Sequence, residues 1–421
     1  MSILRTLLIA VSVVLYLTYT LELHLLFPDL ADIRAWPHLL SAVFFFVFKP
    51  PIPLSTRPHV HVQPFTRHIV AVGDLHGDLP NARRVLNFAG VADEYGNWTG
   101  DTDFFVQTGD IIDRGDDTIL LFQWMDRLRI QASSTGGVML SHLGNHEWMN
   151  MIGDWRYVYP TEIKTFGTVA ARQHALSTGH IGRSWAANYT TASRLPLHPS
   201  LGAPNAPYPP HLYQKDADER AYYEYYDDKE PLSHSALSFV HGGLSPTYKD
   251  LTPFPTKINE VSASLMAKLQ RRVPPPPHPP NPYPGLPIDS TQQEIELYDG
   301  NGPLWYRGWA LESDEKICSE VEEVLAKTGT RRMIMGHTPD LQGIVARCNG
   351  KVIIIDTGIS HAYGGALSAL SIHYTLTPVL GNGSGKKQRW IEREIVSALY
   401  PDRQEVLVED EREVLGDFSG F

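Results

Sequence analysis

The chain has little cysteine, no excess of positive charge and no apolar run that reaches the roughly 20 residues of a membrane span. Its 421 residues include only two cysteines, Cys318 and Cys348, which excludes a disulfide-rich scaffold and a cysteine-based zinc module. The formal net charge of -11 leaves no basic surface for a phosphate backbone, so nucleic acid is not an expected partner. The 43% apolar content is ample for a folded globular core.

The longest apolar run lies near the amino terminus. Arg5 precedes residues 7–21, and the run approaches spanning length only when residues 23–27 are counted. We interpret residues 1–30 as a signal anchor, because no small-x-small cleavage site follows the run; a cleaved signal peptide is the alternative. Residues 31–65 are predicted to be a linker with one short apolar segment.

Three N-x-S/T sequons, at Asn97, Asn188 and Asn382, fit a chain that enters the secretory pathway. Together with the amino-terminal segment they predict a membrane-anchored glycoprotein. Its main domain is expected in the lumen of the endoplasmic reticulum, Golgi or vacuole, or at the cell surface, with a secreted protein as the alternative. Cys318 and Cys348 could pair in such a compartment, although the sequence alone does not show whether they meet.

From residue 66 onward, short apolar strands alternate with helical stretches. The segments HIVAVGDLHGD, DFFVQTGDIIDRG and GGVMLSHLGNHE each begin as a buried strand and end in a polar turn with glycine. This alternation predicts an α/β layered domain over residues 66–400, with the polar motifs at the carboxyl ends of the strands. Ligands bind at that edge of open α/β sheets.

Three other stretches depart from this pattern. Residues 150–235 are rich in Tyr, Trp and His and contain a proline-studded loop, so we expect a cap insertion over the polar edge. Residues 271–287, RRVPPPPHPPNPYPGLP, are predicted to be a stiff surface spacer; a docking segment for an aromatic groove is the alternative. Residues 401–421 form an acidic tail that we expect to be partly mobile.

Five motifs place a metal-ligand side chain beside glycine: GDLHGD, GDIIDRG, GNHE, HGG and GHT. Their ligands are Asp74, His76, Asp110, Asn145, His241 and His337. Residues two apart on an extended chain share a side, so Asp74 and His76 can reach one ion, and the two oxygens of Asp110 can bridge it to a second. Carboxylate with imidazole suits Mn²⁺, with Fe or Zn²⁺ as alternatives, better than Ca²⁺. The motifs therefore predict a centre with two divalent metal ions.

Such a centre would ionise a bridging water for in-line attack on phosphorus. The leaving oxygen still needs a proton, and we predict that His146 donates it while Asp113 orients the imidazole. Arg114 is expected to hold two phosphate oxygens through its guanidinium fork.

Arg307, in PLWYRG, is the candidate for a second phosphate clamp. The alternative is a surface arginine packed on Trp305 or Tyr306. Three further polar residues near the motifs are interpreted as structural: His142, Asp356 and His361.

The motif order GDxHG, GDxxDRG, GNHE, HGG and GHT resembles the PPP branch of the calcineurin-like metallophosphoesterases. The strings GNHEWMNMIGDWRYV, PLWYRG and DTGIS resemble its Shewanella-like phosphatase group, and the resemblance covers residues 66–375. It implies a four-layer α/β/β/α metallophosphatase-type β-sandwich flanked by helices. In that family Asp74, His76 and Asp110 would hold the first metal. The second would be held by Asp110, Asn145, His241 and His337.

The resemblance implies a metal-dependent phosphomonoesterase, and a protein phosphatase in particular. One alternative is a hydrolase of small phosphates such as dinucleoside polyphosphates, because enzymes of that kind share the motifs. Another is a catalytically inactive, membrane-tethered scaffold that recruits partners through its polyproline segment. The expected substrate is accordingly a phosphoprotein or a small phosphate ester.

Overall fold

The computed structural model describes residues 63–209, 232–379 and 388–418. Its strands are β1 (Phe65–Val72), β2 (Phe104–Gln107), β3 (Val138–His142), β4 (Tyr189–Thr190), β5 (Ala192–Pro196), β6 (Ala236–Val240), β7 (Arg332–Met335), β8 (Val345–Arg347), β9 (Val352–Ile354), β10 (Ala369–Pro378), β11 (Arg389–Leu399) and β12 (Gln404–Leu415). They form two mixed sheets, one with the order β12-β11-β10-β1-β2-β3-β4 and one with the order β5-β6-β7-β9-β8.

The helices follow the strands along the chain. They are α1 (Leu79–Phe88), α2 (Thr118–Ser134), α3 (Asn145–Ile152), α4 (Pro160–Phe166), α5 (Val169–Ser177), α6 (His180–Asn188), α7 (Thr256–Arg271), α8 (Gln292–Tyr298), α9 (Gly308–Leu311) and α10 (Asp314–Thr328). A short 3₁₀ turn spans Pro199–Leu201.

The two sheets pack face to face, with helices on the outside. Ile69 of β1 belongs to an apolar cluster that includes Phe239 of the smaller sheet. The next residue, Val70, points to the other side and belongs to a cluster with Leu86 of α1 and Leu121 of α2. Because both faces of β1 are covered, its sequence is a continuous apolar run rather than an alternating one. The predicted mixed α/β class is confirmed.

The predicted motifs gather at one edge because the strands that precede them are parallel. Strand β1 pairs in parallel with β2, and β2 with β3. In the smaller sheet β6 pairs in parallel with β7, and β7 with β9. The five motifs follow directly after β1, β2, β3, β6 and β7, so they lie together at the carboxyl ends.

A cap over residues 150–235 is not confirmed as a separate unit. The segment supplies β4 to the larger sheet and β5 to the smaller one, in addition to helices α4 to α6. Within the part of this segment that is described, the chain is therefore built into the sandwich. Its aromatic residues include core side chains such as Trp185 and Tyr189.

The acidic tail is the clearest difference from the sequence prediction. Instead of a mobile segment after residue 400, β12 pairs antiparallel with β11 from Gln404 to Leu415. The acidic side chains have basic partners across the pair: Glu409 bonds Arg393 and Glu413 bonds Arg389. Charge alone suggested disorder, whereas cross-strand pairing gives these carboxylates partners within the sheet. The domain therefore continues past residue 400.

The proline-rich segment 271–287 is bound to the domain surface. Trp155 donates its backbone N–H to the carbonyl of His278 at 2.6 Å, and the His278 N–H donates to the Gly153 carbonyl at 2.9 Å. Gln173 of α5 adds a bond from Nε2 to the Pro275 carbonyl at 2.7 Å. These bonds fasten the segment to the chain that follows α3.

The predicted anchor at residues 1–30 and most of the 31–65 linker lie outside the described residues. Among the residues that are described, no helix is both long enough and apolar enough to cross a membrane.

Cys318 of α10 and Cys348, in the turn between β8 and β9, form a disulfide with 5.2 Å between their Cα atoms. That spacing lies within the usual range for a bridge.

Candidate active site

The predicted ligand side chains converge on the carboxylate of Asp110. Its Oδ2 atom lies 3.7 Å from His76 Nε2 and 3.3 Å from His241 Nε2. Two groups of donor atoms, each within 4.8 Å of one another, share this residue: His76, Asp110 and His146, and Asp110, His241 and His337. A carboxylate common to two donor groups is the arrangement expected of a bridging ligand.

The imidazoles are oriented by backbone carbonyls. His76 donates from Nδ1 to the Ile112 carbonyl at 3.0 Å, and His241 donates from Nδ1 to the Thr108 carbonyl at 3.0 Å. Both rings therefore turn Nε2 toward the centre, as metal-ligating histidines usually do. Burial, with the charge of neighbouring His146 second, lowers the pKa of His76 to about 3, which keeps the ring in its neutral, ligating form.

The remaining ligands show that the site suits cations. His337 Nε2 is buried and has no hydrogen-bond partner in the described part of the chain, which is costly unless a ligand meets it. Asn145 Oδ1 lies 2.8 Å from His241 Nε2, so two ligand atoms face the same point. Burial and the neighbouring carboxylates of Asp356 and Asp110 raise the pKa of Asp74. The crowded acids and the unpartnered imidazole fit two divalent ions.

The backbone of the site is strained. Five non-glycine residues have left-handed φ angles: His76 (42°), Asp110 (55°), Asp113 (72°), Arg114 (61°) and His337 (68°). Such conformations cost about 1–3 kcal/mol each and persist only where the surrounding structure holds them. Their concentration in the predicted motifs marks these turns as functional.

Glu147, which sequence reasoning missed, holds the Asp110 turn. Its buried carboxylate accepts backbone N–H bonds from Asp110 (2.9 Å), Ile111 (2.8 Å), Ile112 (3.3 Å) and Gly144 (2.7 Å). A signal was present, since a glutamate three residues after the N-cap, here Gly144, is typical of a capping interaction. Here the same carboxylate also fixes a strand-end turn from another part of the chain.

Two motif glycines are needed for the close approach of ligand carboxylates. A Cβ atom on Gly144 would lie 2.1 Å from Asp110 Oδ1, and one on Gly336 would lie 2.5 Å from Asp74 Oδ1. Any side chain at these positions would displace a carboxylate that the centre requires.

His146 and Asp113 form a buried pair beside the shared carboxylate. His146 Nδ1 lies 2.7 Å from Asp113 Oδ2, and its Nε2 lies 3.8 Å from Asp110 Oδ2. Burial lowers the pKa of His146, but the Asp110 and Asp113 carboxylates outweigh burial and the net pKa is raised. The ring is thus held in one orientation with Nε2 facing the centre.

The two predicted arginines both flank the site. The guanidinium of Arg114 lies 4.1 Å from the Tyr157 ring centroid and 5.0 Å from that of Tyr363. Arg307 Nη1 donates to the carbonyl of His337 at 2.9 Å and to Thr338 Oγ1 at 3.0 Å. Arg307 is thereby tied to the loop that carries a ligand.

The three polar residues interpreted as structural have partners of their own. His142 donates from Nδ1 to the Gln107 carbonyl and its Nε2 bonds Ser193, so both ring nitrogens are engaged by residues other than the predicted ligands. The Asp78 carboxylate accepts two hydrogen bonds from His361, one from the ring Nδ1 and one from the backbone N–H. Asp356 accepts the Gly358 N–H at 3.0 Å, as a turn residue does, although it also lies close enough to affect Asp74.

A mixed α/β sandwich with two donor groups sharing one aspartate at its strand ends defines the chain as a dinuclear metallophosphatase. Residues 67–341 match the family model described as calcineurin-like phosphoesterase. The chain belongs to that family, as the motif order predicted.

Proteins similar in sequence indicate which group of this family the chain resembles. The chain is 33% identical to an uncharacterized protein of Schizosaccharomyces pombe, over 72% of this chain and 76% of that one. It is 30% identical to Shewanella-like protein phosphatase 2 of Arabidopsis thaliana, over 69% of this chain and 71% of the relative. The cold-active protein-tyrosine phosphatase of a psychrophilic Shewanella has a related fold, with a TM-score of 0.54, 22% identity, and coverage of 81% of this chain and 80% of that one. The predicted resemblance to the Shewanella-like phosphatases is confirmed.

Proposed function

We propose that this metallophosphatase is a protein phosphatase that removes phosphate from a side-chain ester with His146 as the general acid. One observation carries the proposal: His146, fixed by Asp113, directs Nε2 to the carboxylate that both donor groups share. A proton donor next to the place where phosphate would bind is what a poor leaving group requires.

The six motif residues would hold the ions. Asp74, His76 and Asp110 form the first set, and Asp110, Asn145, His241 and His337 form the second. Two bound divalent cations would activate a water for attack on phosphorus and offset the charge of the phosphoryl oxygens. Mn²⁺ is the ion proposed first, because both sets mix carboxylate with imidazole ligands and the second adds the amide of Asn145.

The role of His146 follows from its two nitrogens. Nδ1 is engaged by Asp113, so the proton on Nε2 is the one available for transfer. The Asp110 and Asp113 carboxylates outweigh burial and raise the pKa of His146, which favours retention of that proton. His146 also belongs to the first donor group, and a ligand role is the competing interpretation. Replacement by Asn separates the two roles, because an acid can be lost without loss of metal.

Arg114 and Arg307 are proposed to hold the phosphate. The guanidinium of Arg114 lies over the rings of Tyr157 and Tyr363. Such contacts use no hydrogen-bond donor, and no described residue accepts a bond from its terminal nitrogens, so they can donate to phosphate oxygens. Arg307 uses Nη1 on the His337 loop. Its second terminal nitrogen would complete a two-sided clamp.

The proposed compartment is the secretory lumen, with the chain tethered by its amino-terminal segment. The Cys318–Cys348 bridge supports an oxidising environment, since such bridges are rare in reducing compartments. Asn188, which is exposed at the end of α6, is the better placed of the two described sequons. Thiol labelling of protein taken from cells without reductant should detect no free cysteine, and labelling of both would argue for a reducing compartment.

Activity of the full-length chain with Mn²⁺ tests the substrate class. Peptides of matched sequence carrying phosphoserine, phosphothreonine or phosphotyrosine are compared with diadenosine tetraphosphate, and Asp110→Asn serves as the inactive control. We expect turnover of at least one phosphopeptide to exceed that of the dinucleotide. Faster cleavage of the dinucleotide would favour the small-phosphate hydrolase, and silence toward every ester would favour a scaffold.

A further inference from the structure

Arg172 of α5 is a fully buried charge next to Asp113, the partner of the proposed acid. Its Nη2 donates to both oxygens of Glu162 at 3.1 Å, and its Nη1 donates to Asn150 Oδ1 at 2.7 Å. The guanidinium also lies 4.4 Å from the centroid of the Trp155 ring. A buried charge needs partners of this kind to be tolerated.

The network continues to Asp113. Asn150 donates from Nδ2 to Asp113 Oδ1 at 2.9 Å, and Arg172 Nη2 lies 3.6 Å from the same oxygen. The other oxygen of Asp113 faces His146 Nδ1 at 2.7 Å. The two carboxylate oxygens of Asp113 thus have different partners. Oδ1 contacts Asn150 and Arg172, and Oδ2 contacts the imidazole of His146.

Asp113 needs this support because its own backbone does not favour its position. Its φ of 72° is left-handed, a conformation that surrounding contacts must maintain. Without a donor on Oδ1, the carboxylate could rotate about its side-chain bonds and lose the bond to His146. A small misplacement of an acid can lower its rate by orders of magnitude.

We propose that Arg172 and Asn150 are positioning residues of the general acid, which fix the Asp113 carboxylate and through it the imidazole of His146. The inference rests on the proposed role of His146. It also gives the α4–α5 segment a function: α4 supplies Glu162, which accepts from Thr118 Oγ1 at 2.6 Å and holds the guanidinium in place.

A purely structural role for the ion pair is the competing explanation, and the two differ in one measurable respect. An acid matters only when the leaving group needs a proton. If the acid is no longer held in position, hydrolysis of phenyl phosphate should slow, because phenolate is a poor leaving group. Hydrolysis of 2,4-dinitrophenyl phosphate should hardly change, because its leaving anion is stable without a proton. General loss of structure would slow both esters together.

The test compares Arg172→Met and Asn150→Ala in the full-length, Mn²⁺-loaded protein. We expect kcat on phenyl phosphate to fall roughly 10- to 100-fold, and kcat on the dinitrophenyl ester to change less than about threefold. Metal content by elemental analysis should stay at the wild-type value. Asn150→Ala removes no charge, so it keeps the test valid if Arg172→Met does not fold. Arg172→Lys should recover part of the loss, since a single ammonium cannot serve three partners.

Arg332→Met is the matched control. Arg332 is also a buried arginine, paired with Glu394 at 3.1 Å, but it begins β7 at the end of the strand remote from the His337 loop. Its loss should lower thermal stability and leave the ratio of the two rates unchanged. Equal slowing of both esters by Arg172→Met and Asn150→Ala, or no slowing of either, would overturn the inference. A wild-type protein inactive on both esters and on the phosphopeptides would instead overturn the proposed function.

Discussion

Replacing Glu147 by Gln should weaken both the fold and the metal centre. The Glu147 carboxylate accepts two backbone N–H bonds on each oxygen, from Ile111 and Ile112 on Oε1 and from Asp110 and Gly144 on Oε2. Gln keeps one acceptor oxygen and turns an amide NH₂ toward two N–H groups. A buried donor without a partner costs about 1–3 kcal/mol, so the free energy of unfolding should fall by about 2–6 kcal/mol.

The same change should reduce metal affinity, because the turn that it loosens carries the shared ligand Asp110. Groups that orient metal ligands typically contribute about 10- to 100-fold to affinity. The assay is Mn²⁺ titration calorimetry on the metal-free variant, with thermal unfolding measured in parallel. We expect a lower Tm, by about 3–8 °C, together with weaker binding of Mn²⁺.

Glu294→Gln is the control for a general stability effect. Glu294 is likewise buried, at 1% exposed, and caps α8 by accepting the Thr291 N–H at 2.7 Å. Its replacement should lower the Tm without changing the affinity for Mn²⁺. If Glu147→Gln lowered the Tm but left Mn²⁺ affinity within twofold of wild type, the assigned role of Glu147 in holding the ligand turn would be refuted.

Two other residues have distinct expected effects. His146→Asn should retain its metal ions and lose roughly 10²- to 10⁴-fold in kcat on phosphopeptides; concurrent loss of metal would make His146 a ligand instead. Burial lowers the pKa of His142 from 6.5 to about 4. Between these two pH values the unfolded chain therefore binds more protons than the folded one. The free energy of unfolding should fall as the pH drops from 6.5 to 4. His142→Gln should remove about 3 kcal/mol of this dependence in chemical denaturation at pH 7 and pH 4; identical pH profiles for the variant and wild type would contradict the shift.

The metal ligands could be predicted from the sequence because they lie in short local motifs. Each metal ligand follows a short apolar strand, and parallel strands bring their carboxyl ends to one edge, so Asp74, Asp110 and Asn145 could be placed together from sequence. The buried strands are continuous apolar runs, which indicates that both of their faces are covered. Helices on the outer faces could be predicted from this pattern.

The rest depended on contacts between distant segments. Arg172 reaches Asp113 across 59 positions of sequence, and no periodic pattern marks a buried arginine. Strand β12 was missed because its acidic residues indicate a solvated tail until their arginine partners on β11 are known. The cap predicted from aromatic and proline content over residues 150–235 is not confirmed; in the described part of that segment β4 and β5 lie at the edges of the two sheets.

Metal stoichiometry tests the central claim most directly. Elemental analysis of the full-length chain after dialysis with Mn²⁺ should give two ions per chain. Asp110→Asn, which alters the residue common to both donor groups, should lower the content below one. A wild-type protein that turns over phosphate esters with no bound metal, or an Asp110→Asn variant that retains both ions, would contradict a two-ion centre bridged by Asp110.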